Sequence, residues 1–162
     1  RRLRYVFSSS DVTALSGVSC PHSAQSYPWT FTLPKESLSA RLAKGGISNG
    51  RILRIDLLDE QQKPLQTTGR VYFVRLNFDN GVTRTVTGNA FRLAVGAGKS
   101  ELASTWFYAV HNPNGTITFK GQGFGHGVGF CQNGAKYMAA EGSDFVDILR
   151  LYYPGSVLLR LW

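Results

Sequence analysis

The chain has 162 residues, 43% hydrophobic and 12% aromatic, with 18 Lys and Arg against 10 Asp and Glu, for a net charge of +8. This composition suits one domain with a real core and excludes a disordered chain. No apolar run nears the roughly 18 residues that cross a bilayer, and no signal-peptide h-region follows Arg1 and Arg2.

The first strand-like stretch is Leu3-Arg4-Tyr5-Val6-Phe7, and Trp29 to Leu33 alternates as a second. Pro34 opens a helix that carries Leu38 and Leu42 on one face and ends at Gly45-Gly46. Arg51 to Leu58 alternates with a slip at Leu53, and Arg70 to Phe78 alternates more evenly. Asp79-Asn80-Gly81 signals a hairpin, with Val82 to Val86 returning. Gly88-Asn89 is placed to cap a short helix, Ala90 to Val95. Thr105 to Val110 and Thr116 to Phe119 read as a hairpin about Asn112-Pro113-Asn114-Gly115. A helix fits Gln132 to Ala140. Ser143 and Asp144 can cap another, with Phe145, Ile148, Leu149 and Tyr152 on one face. Pro154-Gly155 breaks it, and Val157 to Trp162 closes as a strand. The pattern predicts a β-rich α+β domain with antiparallel strands and short helices clustered near the C-terminus.

The basic excess favours a polyanionic neighbour such as nucleic acid, an anionic lipid surface or acidic wall polymers. The arginines are scattered, however, no block of five or more like charges occurs, and no nucleic-acid-binding motif is present, so no nucleic-acid partner is expected.

The stretch Gly121-Gln122-Gly123-Phe124-Gly125-His126-Gly127 has the outline of a dinucleotide fingerprint. Its context argues otherwise: the strand before it belongs to a hairpin, and no βαβ unit surrounds it. Glycines there supply either a turn or a floor that a ligand approaches closely, with His126 as the polar side chain able to donate, accept or bind metal. Cys20-Pro21-His22 and the pair His126 and Cys131 hold two thiols and two imidazoles. They can make a tetrahedral zinc site, the cysteines can pair as a disulfide, or both can sit as quiet thiols. Glu36, Glu60, Glu101 and Glu141 all stand in polar contexts that suit surface charges better than a general acid. Phe124, Phe130, Tyr137, Tyr152, Tyr153, Trp29 and Trp106 are candidates for stacking on sugar rings, although periodic placement favours the core for most.

The stretch "GQGFGHGVGFCQNGAKYMAAEG", followed by "DFVDILRLYYPGSVL", resembles the signature of the stage II sporulation protein D / amidase-enhancer (SpoIID/LytB) family. The matching positions run from Gly121, Gly123, Gly125, His126, Gly127, Val128 and Gly129 through Gln132, Gly134 and Ala135 to Tyr152, Tyr153, Pro154 and Gly155. A looser match, including Ser104-Thr105-Trp106-Phe107, extends back to about Cys20.

The resemblance implies a bacterial cell-envelope protein that binds peptidoglycan glycan strands. It would cut strands stripped of their peptide stems as a lytic transglycosylase, or else enhance another cell-wall hydrolase. It places Gln122, Gly123, Phe124, Gly125, His126, Gly127 and Gln132 along the glycan. Zinc binding near this position in some members makes Cys20, His22, His126 and Cys131 the candidate ligands. Two features depart from the family. Cys131 stands where serine is usual and Phe130 where methionine is. The family's catalytic glutamate lies in an N-terminal helix ahead of a strand like Arg4 to Ser10. The expectation is that residues 1–162 form a SpoIID-like domain without that helix, so the catalytic residue stays unassigned.

Overall fold

A computed structural model describes residues 28–48, 50–66, 69–127, 129–155 and 157–158. The early strand-like segment, Cys20 and His22 lie outside these residues. The chain divides into two compact units, with the described strands and two of the four described helices in Ser26–His126.

In that larger unit, alternation drives the strands and the buried faces join one core. Strand β1, Pro28–Pro34, buries Trp29 and Leu33. Helix α1, Lys35–Lys44, follows directly. Pro34 is its N-cap, with ψ of 148°, and the proline ring's fixed φ suits a helix start. Leu38 and Leu42, one turn apart, are fully buried. Strand β2, Ile52–Leu58, shifts register between Ile52 and Arg54, so the slip at Leu53 is a bulge that turns this leucine to solvent.

The predicted strand Arg70–Phe78 is in fact two: β3, Gly69–Arg70, and β4, Phe73–Phe78. The break has a physical cause. Val71 N–H donates to the Thr105 carbonyl, and Tyr72 N–H donates to that of Leu58, so the chain leaves one sheet for the other between them. Gly81, at a φ of 78°, turns β4 into β5, Thr83–Thr87.

Helix α2, Gly88–Val95, is capped by Thr87, whose Oγ1 accepts from Ala90 N–H at 3.1 Å, rather than by Gly88-Asn89. Strand β6, Trp106–His111, and β7, Thr116–Gln122, complete two antiparallel sheets, ordered β1-β7-β6-β3 and β2-β4-β5. Strand β7 continues past Phe119 to Gln122 and is antiparallel to both neighbours, the opposite of a dinucleotide-binding crossover. Phe91, Phe107 and Phe119, all fully buried, join the elements at the centre, with ring centroids 5.7 to 6.3 Å apart.

The smaller unit holds α3, Gln132–Ala140, and α4, Phe145–Tyr152. The Asp144 carboxylate caps α4 by accepting from Asp147 N–H at 2.9 Å. Ile148 and Tyr152 are buried against Ala135, while Phe145 is 56% exposed and so is not on the buried face expected for it. Val157 and Leu158 are not in a strand, and residues 159–162 lie outside the described set. The α+β class with antiparallel strands is borne out, but the helices divide evenly between mid-chain and the C-terminal region.

Candidate functional site

The glycine loop leaves the end of β7 and changes backbone hand at every second residue. Gly123, Gly125, Gly127 and Gly129 have φ of 75°, 88°, 69° and 120°, whereas Phe124 and His126 between them keep the ordinary sign. Side-chain-bearing residues rarely adopt those positive angles, so glycine at alternate positions is what lets the strand end here and curl.

A buried polar ledge fixes this curl inside the larger unit. Ser104 and Thr105, 3% and 2% exposed, precede β6. The Ser104 hydroxyl donates to the Gln122 carbonyl at 2.6 Å and accepts from Trp29 Nε1 at 3.3 Å and Trp106 N–H at 3.1 Å. Gly125 N–H donates to the Ala103 carbonyl, and Thr105 N–H donates to that of Gly125, making a short parallel bridge. The Thr105 hydroxyl donates to the His126 carbonyl at 2.7 Å and accepts from Arg70 Nη1 at 3.0 Å. Arg70 Nη1 also lies 3.3 Å from that carbonyl, and its guanidinium stands 5.6 Å from the centre of the Trp106 ring. Burial lowers the Arg70 pKa, with Tyr72 acting the other way. Arg92 completes the support by donating to the Leu102 and Ala103 carbonyls at 2.8 and 3.1 Å.

The larger unit thus holds the loop's backbone at Gln122, Gly125 and His126. Phe124 is 43% exposed, His126 is exposed, and Gly123 is buried beneath them. Gln122 ends β7 half-buried. In the smaller unit Gly127 is half-buried and Gln132 is exposed on the first turn of α3. Cys131 is the N-cap of that helix, with its sulfur accepting from Gly134 N–H at 3.4 Å.

Of the other candidate aromatics, Trp29 and Tyr152 are buried and Trp106 and Tyr153 half-buried, while Phe130 and Tyr137 are 41% exposed. Phe130 lies 5.0 Å from the Tyr152 ring and 6.5 Å from that of Tyr153.

Glu36 sits in the first turn of α1, Glu60 is exposed in a turn, Glu101 pairs with Arg41 at 2.6 Å, and Glu141 ends α3. His111, whose pKa is lowered by burial and then by Lys35, lies at the opposite end of β6 from Trp106.

Sequence reasoning missed Ser104, Thr105 and Arg70 as site residues. The available signal was two adjacent hydroxyl residues between apolar Leu102-Ala103 and an apolar strand, where a buried polar group needs a dedicated partner.

No protein-family model matches the chain. Over 41 residues, 25% of its length, it is 56% identical to a stage II sporulation protein D of Bacillus amyloliquefaciens. Over 92 residues, 54% of its length, it is 33% identical to an amidase enhancer of Bacillus subtilis strain 168. Over 132 residues, 82% of its length, it is 30% identical to an uncharacterized protein of Brachyspira hyodysenteriae. These matches span only 12%, 13% and 32% of the relatives' own lengths.

Proposed function

On the premise that the chain belongs to the SpoIID/LytB family, as its relatives indicate, we propose that it is the glycan-binding part of a longer cell-envelope protein that cleaves peptidoglycan strands. The observation that carries this reading is the glycine loop, clamped through its backbone while Phe124 and His126 are exposed. An exposed aromatic ring beside an exposed imidazole suits a sugar, whose faces stack and whose edges hydrogen-bond. Gln122, Gly123 and Gly125 are assigned to glycan contact with them, and the family resemblance adds Gly127 and Gln132.

The reaction proposed is that of a lytic transglycosylase. One carboxylic acid protonates the leaving glycosidic oxygen. The resulting carboxylate then takes the proton of the sugar's own 6-hydroxyl, whose oxygen bonds to the anomeric carbon and closes an anhydro ring without consuming water. None of the four glutamates of this chain is assigned that role. The chain's part is to hold the strand in register. The full-length protein incubated with peptide-free glycan strands is expected to release anhydro-ended products, detectable by mass spectrometry. Strands that bind but stay intact would overturn the cleavage reading.

A second reading has its own support. The relative matched over 92 residues is named an amidase enhancer, which favours a non-catalytic module acting with another cell-wall hydrolase. That reading predicts no anhydro ends, and faster peptide-stem removal when the amidase is added.

We also propose zinc for Cys20, His22, His126 and Cys131. Two thiolates and two imidazoles are a closed tetrahedral donor set, and the Cys131 sulfur already lies where a helix N-terminus favours negative charge. Bound there, zinc would be structural. Protein purified without chelator is expected to carry close to one zinc per chain by elemental analysis. A value below about 0.2 would exclude a closed four-ligand site, which retains its metal.

A further inference from the structure

We propose that Arg70 is a carboxylate receptor beside His126, and that its ligand is the lactyl carboxylate of muramic acid in a peptide-free glycan strand. The proposal rests on the glycan-binding reading and adds to it the feature by which stripped strands are told from intact ones.

Four other arginines of the described residues pair with carboxylates: Arg41 with Glu101, Arg51 with Asp79, Arg54 with Asp56, and Arg150 with Asp147. Arg70 has no such partner among the described residues, although it is half-buried. Arg92, also without a carboxylate, spends its donors on two carbonyls. Arg70 does not. Its Nη1 serves Thr105 and His126, and its Nε is shielded from solvent without an acceptor among the described residues.

A partly buried guanidinium without a counter-charge carries a desolvation cost, and the unfilled Nε donor adds to it. The Trp106 ring, the Thr105 hydroxyl and the His126 carbonyl hold the group in place, so little side-chain freedom remains to be lost when an anion arrives. Burial lowers its pKa, and a bound carboxylate would act in the opposite direction.

The same hydrogen bonds place this group beside the residue assigned to the sugar. On an intact strand the lactyl carboxyl is an uncharged amide carrying the peptide stem. Once the stem is removed it is an anion, one for each muramic acid. A positively charged group at this position therefore distinguishes the two strands by charge as well as by bulk.

The test uses the full-length protein with three ligands: peptide-free strands, the same strands with their carboxyls converted to methylamides, and chitin oligosaccharides. Binding is measured by calorimetry. The wild type is expected to bind the free-carboxylate strands at least tenfold more tightly than the amidated ones. Arg70→Gln is expected to bind both at the wild type's amidated level, with Arg70→Lys between. A structural role alone would weaken both ligands equally and leave the tenfold ratio intact. Equal wild-type binding to both strands overturns the Arg70 proposal and leaves the glycan reading standing.

A second measurement does not depend on the variants folding. Lactate titrated into the wild type is expected to move the Arg70 Nε–H resonance. If neither strand nor chitin binds, the glycan reading fails, and the lactate titration decides the carboxylate receptor by itself. A resonance unmoved by lactate overturns it.

Discussion

Replacing His126 by alanine is expected to lower glycan cleavage by the full-length protein by about 10²-fold or more, the usual scale for losing a positioned polar group at a reacting site. In protein stripped of zinc, its melting temperature is expected to stay within about 3 °C of the equally stripped wild type, roughly 1 kcal/mol for a chain of this size. The structure separates the two effects. Thr105 and Arg70 hold the His126 carbonyl, which alanine retains, and the side chain is exposed. The carbonyl anchor of the loop therefore survives the substitution. If the module only binds, the same loss should appear as weaker affinity for peptide-free strands. In protein that keeps its zinc, the proposed ligand role of His126 predicts that zinc content falls with the substitution and the melting temperature drops well beyond that limit. A stable variant with full glycan binding and cleavage would remove His126 from the site altogether.

Local rules were enough for much of the fold. Asp79-Asn80-Gly81 turned as its chemistry requires, and the apolar spacing of Leu38 and Leu42 marked the buried face of α1. The slip at Leu53 announced a real bulge. Where reading failed, a distant partner had decided the outcome. Nothing near Val71-Tyr72 says that one amide will find Thr105 and the next Leu58, so the split between β3 and β4 was hidden inside an apparently continuous strand. Phe145 sits at the right spacing from Ile148, Leu149 and Tyr152, but spacing gives a direction and not a neighbour, and this ring remains exposed.

The site divides in the same manner. The loop announced itself through its glycines and its family signature, since its backbone shape is a local demand. Its anchors could not be seen this way. Ser104 meets Gln122 and Trp29, and Arg70 meets His126, only after the sheet has assembled. Adjacent Ser104 and Thr105 between apolar neighbours mark a need for partners but do not name them. The need follows from burial, because a polar group that is hidden from water must be accounted for.

Gly121→Ala tests how tightly that ledge is built. Gly121 lies opposite both Trp29 and Phe107 in the sheet, one residue before the carbonyl that Ser104 holds. A Cβ here would overlap the Trp29 ring and the Trp106 carbonyl oxygen. Neither neighbour yields easily. The carbonyl is backbone, and the indole is 6% exposed with its Nε1 on Ser104. Relief requires moving Trp29 off Ser104 or spreading β6 from β7, and either releases the strut under Gln122. Overpacking of this kind costs about 3 kcal/mol, which for a chain of this size lowers the melting temperature by roughly 6–12 °C. Glycan binding should fall with it, since the loop loses its anchor. Gly125→Ala is the matched comparison. Its φ of 88° strains any side-chain-bearing residue, but no atom lies within 4 Å of the added carbon. Only the left-handed backbone penalty remains, about 1–2 kcal/mol and so roughly 2–8 °C. If alanine at 121 proves no more damaging than at 125 in thermal unfolding, the close approach of Trp29 and Trp106 to β7 is wrong. In that case backbone hand, rather than packing against Ser104, explains why glycine occupies the approach to the loop.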